Sequence, residues 1–183
     1  MTKTGDGRLP GDLDARELVD RIIRVDHAGE YGAKRIYEGQ LAVLGRSPSA
    51  SALRHMAEQE NAHLAEFERL MVERRARPTV LQPVWHVVGF ALGAATALLG
   101  ERAAMACTIA VEEVIDEHYR GQTDRLGGED APLKETIERF RRQEIEHKEM
   151  AVEAGGEQAP GYELLSGAIK LGSRVAIWLS ERI

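Results

Sequence analysis

The chain has 183 residues, and its 24 Lys plus Arg against 30 Asp plus Glu give a formal net charge of −6. That length suits one domain with a substantial core, and the acidic balance argues against nucleic acid as a main partner, because phosphate binding draws on a basic surface. A single cysteine, Cys107 in the apolar run "AMACTIAV", excludes an intrachain disulfide and fits a small buried residue in a reducing compartment.

The N-terminal stretch "MTKTGDGRLPGDLDARELVDR" is polar and carries five acidic residues. It lacks the apolar core of a secretory signal and the Arg- and Ser-rich character of a transit peptide. Residues 1–17 are read as a polar tail and residues 18–183 as one domain. A bacterial cytoplasmic setting fits, as does an organelle after removal of a targeting segment.

Helix formers dominate the rest, and alternating strand patterns are absent. A first helix is expected from Asp14 to Leu44, stopped by the turn "GRSPSAS". A second runs from Ser51 to Arg75, with Pro78 just past its end. Residues 80–99, "VLQPVWHVVGFALGAATALL", follow as a long connection whose only ionisable side chain is His86. Its uninterrupted apolar part is too short and Gly-rich for a transmembrane span, which needs about 20 residues. Two roles fit it: a buried connecting helix, or a segment that lies in a membrane interface or lines an apolar channel.

Another helix begins near Gly100 and ends at "LGGED". The next starts at Asp130, a good cap with Pro132 in the first turn, and ends at "EAGGEQAPG". A last helix covers Tyr162 to Arg182. Along it Leu165, Ala168, Ile169, Gly172, Val175, Ala176 and Leu179 share a face, Lys170, Arg174 and Arg182 lie off it, and Trp178 marks the boundary. Such a helix can lie on a bilayer with its basic residues among headgroups, and can equally pack on the bundle. The expected fold is all-α: a ferritin-like four-helix bundle of two hairpins, a long apolar crossover between them, and an added C-terminal amphipathic helix.

The chemistry sits on the inward stripes. In "LRHMAEQENAHLAEFERLM", Leu53, Met56, Ala57, Leu64 and Phe67 recur at helical spacing, and Glu60 and His63 fall on the same face. The fourth bundle helix repeats this in "FRRQEIEHKEMA", where Glu144 and His147 share a face with Ile137, Phe140 and Ala151. Residues three apart on a helix stand about 5–6 Å from one another at Cβ, so an oxygen and a nitrogen can reach one metal ion. The third bundle helix adds Glu112, flanked by Met105, Thr108, Ile109, Ile115 and Tyr119. The first adds Glu30, in a stripe with Ile23, Ala33, Tyr37, Leu41 and Leu44 that Asp26, His27 and Lys34 interrupt. A buried, unpaired carboxylate costs several kcal/mol, so each of these needs a cation or a proton.

The order is Glu, Glu-x-x-His, Glu, Glu-x-x-His, with Glu30 and Glu60 30 residues apart and Glu112 and Glu144 32 apart. Four carboxylates and two imidazoles on facing helices make the donor set of a ferritin-like dinuclear site. Oxygen-rich, thiolate-free donors disfavour structural zinc and fit iron or manganese. Asp26, His27, Asp116, His118 and Tyr119 are candidates to orient these donors, or else plain polar bundle residues. Gln59 and Asn61 are expected to point away from the site.

The runs "RVDHAGEYGA", "RIYEGQLAVLGR", "RPTVLQPVWHVVGFALGAATALLGE", "AMACTIAVEE" and "SRVAIWLSERI" resemble the demethoxyubiquinone hydroxylase family of ubiquinone biosynthesis, over nearly the whole chain from about Leu18. The resemblance implies a diiron, dioxygen-dependent monooxygenase. Its substrate would be the ring of a 2-polyprenyl-3-methyl-6-methoxy-1,4-benzoquinol. It also implies Glu60 and Glu144 as bridges between two iron ions, with Glu30 and His63 completing one iron and Glu112 and His147 the other. NADH is the implied electron source. No G-x-G-x-x-G follows a strand, so no dinucleotide fold accompanies it, and electrons would enter through the quinone, a surface contact or a partner.

A bilayer substrate implies peripheral attachment to a membrane through residues 80–99 and 162–183, on the cytoplasmic face of a bacterial inner membrane or the matrix side of a mitochondrial one. A lipid-binding protein partner or a homo-oligomer also fits. The rivals are a ferritin-like iron-oxidising or storage protein, a di-metal tRNA hydroxylase that the charge balance disfavours, and a metal-free membrane scaffold.

Overall fold

The structure is a computed structural model that describes residues 13–126, 128 and 130–183. Most of the polar tail expected at residues 1–17, and part of "LGGED", lie outside the described residues. Every long regular element among them is an α-helix: α1 (Ala15–Leu44), α2 (Ala50–Arg74), α3 (Gln82–Leu98), α4 (Glu101–Leu126), α5 (Ala131–Glu153) and α6 (Tyr162–Ser180).

The helix ends follow local chemistry. Asp14 caps α1 through a reciprocal box: Glu17 N–H donates to Asp14 Oδ1 at 2.7 Å, and Asp14 N–H donates to Glu17 Oε2 at 3.0 Å. Arg75 closes α2 in a left-handed conformation at φ 57°. Asp130 caps α5 by accepting from Leu133 N–H at 3.2 Å, with Pro132 in the first turn.

Helices α1, α2, α4 and α5 form a bundle in which α1 packs on α2 and α4 on α5, and the two pairs meet through α1 against α4 and α2 against α5. Two apolar clusters plug its ends. One gathers Ile22, Ile23, Phe67, Leu70, Leu126, Leu133, Ile137 and Phe140. The other gathers Tyr37, Leu53, Met56, Met105, Ile109 and Ala151. Each bundle helix contributes to both clusters, so its middle turns are left for the acidic and imidazole side chains. The inward stripes expected on α2 and α5 are buried as drawn: Leu53, Met56, Phe67, Ile137 and Ala151 all pack inside.

The apolar connection is largely helical and lies along α1 at very close range. A Cβ built on Gly93 would meet Ile36 O at 2.0 Å, and one on Gly39 would meet Phe90 O at 2.2 Å. Glycine at both positions is therefore a packing requirement. Helix α3 buries Gly89, Gly93, Thr96 and Ala97 and leaves Val84, Val87, Val88 and Leu98 exposed. Helix α6 packs on α4 and touches α1. Its basic residues do not hang free: Lys170 pairs with Glu113, and Arg174 Nη2 lies 2.9 Å from Glu117. The face drawn for this helix is split, since Ile169 is buried while Ala168, Gly172 and Val175 are exposed. No helix among the described residues is long and apolar enough to cross a membrane.

Candidate metal centre

Halfway along the bundle, Glu30 of α1, Glu60 and His63 of α2, Glu112 of α4, and Glu144 and His147 of α5 converge, each 0–3% exposed. Two groups emerge from their donor atoms: Glu30, Glu60, His63 and Glu144, and Glu60, Glu112, Glu144 and His147, with all atoms in a group within 4.8 Å of one another. Either group could hold a metal ion. Glu60 and Glu144 belong to both.

Four carboxylates this close cannot all ionise in an apolar interior without compensating positive charge. Burial and the neighbouring Glu144, Glu30 and Glu112 push Glu60 well above the usual carboxylate range. Burial and Glu144 do the same to Glu112. Burial also works against Glu144, but hydrogen bonding and charge from His147 and His63 outweigh it and hold this carboxyl at about 2. His63 is the complement: burial opposes its charge, yet Glu144 and Glu30 push it up to about 12. His147 is raised in the same manner by Glu144 and Glu112 against the effect of burial.

The donor atoms themselves pass a test of fit. Both oxygens of Glu60, both of Glu144, one of Glu112, and Nδ1 of His63 and of His147 are buried with no hydrogen-bond partner outside the cluster. Buried polar atoms are rarely left so, and here seven orphans face one another. A pair of divalent cations satisfies them at once, with oxygen and imidazole donors suited to iron or manganese.

Groups around the six hold them in place. Tyr119 O–H donates to Glu30, and Tyr37 O–H donates to Glu112 Oε1 at 2.9 Å. Burial and the adjacent carboxylates push both phenols well above their ordinary range, so both remain neutral donors. The His63 ring stacks on Phe140 with centroids 4.0 Å apart. Gln143 Oε1 lies 2.9 Å from His63 Nε2, and Gln59 Oε1 lies 2.6 Å from His147 Nε2. The expectation that Gln59 points away from the site is therefore corrected. It sits 100° from the inward stripe of its own helix but leans across to α5. Asn61 does face outward, and its amide bonds to Ala57 O at 2.8 Å.

The remaining candidates are placed unevenly. Asp26 is buried, accepts from Gln122 Nε2 at 2.6 Å and has His118 Nε2 at 3.4 Å. Burial pushes its carboxyl up despite those partners. His27 is buried with Nδ1 unpartnered, and burial lowers its basicity. Asp116 turns away from the cluster to Arg141 at 2.6 Å and Arg120 at 2.8 Å.

A cavity of about 480 Å³ runs beside the cluster, walled by α1, α3, α4 and α6. Its lining is almost wholly apolar, from Val25 and Ile36 to Leu92 and Ile177, and Asp26, Glu30, His118 and Tyr119 supply its polar patch. Val88, Ala168 and Gly172 line it and are also exposed, so it reaches the surface between α3 and α6.

Comparison with known proteins identifies the family. Residues 17–180 match the family model described as "Ubiquinone biosynthesis protein COQ7". The chain is 60% identical over 182 residues to the 3-demethoxyubiquinol 3-hydroxylase of Rhodospirillum rubrum, covering 99% of this chain and 86% of the relative. It is 54% identical over 173 residues to the human mitochondrial NADPH-dependent 3-demethoxyubiquinone 3-hydroxylase, covering 92% and 80%. With the mitochondrial 5-demethoxyubiquinone hydroxylase of Saccharomyces cerevisiae the identity is 43% over 183 residues, covering 91% and 78%. The chain belongs to the COQ7 family of ubiquinone biosynthesis proteins.

Proposed function

We propose that the protein is a dioxygen-dependent monooxygenase that hydroxylates the ring of demethoxyubiquinol, using two iron ions held by Glu30, Glu60, His63, Glu112, Glu144 and His147. In this assignment Glu60 and Glu144 would be shared by the two ions, with Glu30 and His63 serving one and Glu112 and His147 the other. Iron held by these six residues would supply the activation of dioxygen. One oxygen atom enters a ring C–H bond and the other leaves as water, which requires two electrons and two protons. The observation that carries the proposal is the sharing of Glu60 and Glu144 by both donor groups, at the side of an apolar cavity that also exposes Glu30.

The protein's own side chains have definite tasks. The cavity wall strips water from a polyprenylated ring and admits it from the gap between α3 and α6. Asp26, His118 and Tyr119 are the polar groups against which ring oxygens can settle. Tyr37 and Tyr119 keep Glu112 and Glu30 oriented through hydrogen bonds. Val84, Val87, Leu98, Leu164, Leu171 and Trp178 are exposed on the two helices that border the opening, and they form the surface that rests on the membrane. No described helix is long and apolar enough to cross a bilayer, and the proposed attachment is through this exposed apolar surface. A reduced nicotinamide nucleotide is the ultimate electron source, NADH by the sequence resemblance and NADPH by the human relative's name.

The test is conversion of demethoxyubiquinol in cells lacking the endogenous activity, read by mass spectrometry of the quinone pool. The wild-type chain restores the hydroxylated product. Glu60→Ala and Glu144→Ala accumulate as folded protein, retain less than the wild-type two metal ions and leave the precursor unconverted. Conversion by either variant at the wild-type rate overturns the site assignment. Flotation with lipid vesicles separates this activity from iron storage, for which a large soluble cage without vesicle binding is expected.

A further inference from the structure

The motif Gln-Glu-x-x-His occurs twice, in "QENAHL" and "QEIEHK", and the structure uses both glutamines in the same exchanged manner. Gln59 precedes Glu60 on α2 but reaches His147 on α5, with Oε1 at 2.6 Å from Nε2. Gln143 precedes Glu144 on α5 but reaches His63 on α2, at 2.9 Å. Both amides are half-buried and cover the outer edges of the two imidazoles. They stand on α2 and α5, whereas the apolar cavity is lined from α1, α3, α4 and α6.

An amide oxygen only accepts, so each Nε2 supplies the hydrogen. When a cation displaces the proton that Nδ1 shares with Glu144, the hydrogen kept on Nε2 leaves the lone pair on Nδ1. That atom points inward in both cases: His63 Nδ1 is 3.0 Å from Glu144 and 3.4 Å from Glu30, and His147 Nδ1 is 2.9 Å from Glu144 and 3.2 Å from Glu60. The opposite tautomer would aim an N–H at those carboxylates and deny the lone pair to a cation.

We propose that Gln59 and Gln143 are positioning residues that fix the metal-binding tautomer and the ring angle of His147 and His63, each across the α2–α5 seam. The inference rests on the dinuclear assignment above. It adds the groups that select Nδ1 as the donor atom, and it makes each half of the site depend on the other helix. Outer partners of metal-binding histidines commonly govern affinity by about 10–100-fold, because a ring free to rotate or to carry its proton on the wrong nitrogen must be reset before it binds.

Cobalt(II) titration of the purified chain tests this. The probe reports on the imidazoles directly, since the ring N–H of a cobalt-bound histidine gives a strongly shifted, exchangeable proton resonance in water. The wild-type chain binds two cobalt ions and shows two such resonances. Gln143→Leu loses the one from His63 to solvent exchange and binds cobalt about 10–100-fold more weakly at that site. Gln59→Leu does the same to His147. Gln143→Glu and Gln59→Glu, whose carboxylates still accept, keep both resonances. Unchanged resonances and affinity in both Leu variants overturn the inference alone. Failure of the wild-type chain to bind cobalt overturns the dinuclear assignment, and this inference with it.

Discussion

Tyr37 on α1 donates its phenol hydrogen to Glu112 Oε1 on α4 at 2.9 Å, and neither group touches solvent. The bond ties the two hairpins together at the acidic layer. Loss of the bond leaves a buried acceptor unsatisfied, which costs about 1–3 kcal/mol. Tyr37→Phe is expected to lower the stability of the folded chain by that amount in urea denaturation, with the midpoint shifted and the slope unchanged.

The proton inventory of the centre sets its response to pH. His63 has its folded pKa pushed up to about 12 against an ordinary value of 6.5, because Glu144 and Glu30 overcome the effect of burial. A proton held more tightly in the folded than in the unfolded chain contributes stability that is complete below the ordinary value and fades as pH climbs towards the raised one. Glu60 and Glu112, raised chiefly by burial, act in the same direction from the ordinary carboxylate value of 4.5 upward. Glu144, held at about 2, acts oppositely, its contribution being lost as pH falls from 4.5. Chelator-treated protein should therefore melt at a lower temperature near about pH 9 than near about pH 6.5.

Divalent cations displace these same protons, so affinity for them should rise with pH. Titration calorimetry in buffers of different ionisation heat measures the protons released at neutral pH. Zero release would contradict the electrostatics described for Glu60, His63, Glu112 and His147.

Gly93 faces Ile36 O so closely that even a methyl group has no room. Gly93→Ala should separate α3 from α1 and cost about 1–3 kcal/mol or more, as overpacking does. Gly167 on α6 has nothing within 4 Å of its built Cβ. Gly167→Ala should leave stability unchanged or raise it by about 0.5–1 kcal/mol. Urea denaturation of the two variants side by side checks both.

Cys107 is buried, and burial pushes its thiol up to about 12. A disulfide-exchange reagent applied at about pH 8 should fail to label the folded chain and should label it fully in denaturant. Rapid labelling under native conditions would contradict the packing of α4 against α1 and α6.

The helices and the six converging side chains were legible from the sequence for one physical reason. Charged residues on an apolar stripe are costly, so they stand out against Leu53, Met56, Phe67, Ile137 and Phe140. What surrounds them was not legible, because it depends on which helices face one another. Gln59 and Gln143 lie off their own stripes, and only the α2–α5 pairing turns them inward. Tyr37 had an evident place on the α1 stripe but no visible partner, since Glu112 lies 75 residues away. Gln122 drew no notice on α4, yet it holds Asp26. Asp116 looked equally near the site, and the phase of α4 carries it to Arg141 instead. On α6, Lys170 and Arg174 stood off the apolar face as expected, but acids of α4 already engage them.

The exchanged glutamines give the bundle an internal twofold character. Each helical hairpin supplies one lone glutamate and one Gln-Glu-x-x-His motif, and each motif's glutamine holds the other motif's histidine. A single hairpin therefore carries half the donors and lacks the amide that holds Nε2 of its own imidazole. Two copies of one ancestral hairpin, associated as a symmetric dimer, would generate the whole arrangement at once. Helices α3 and α6 break that symmetry: both wrap the α1–α4 side, leaving one flank of the core open to a greasy guest and the other latched by amides.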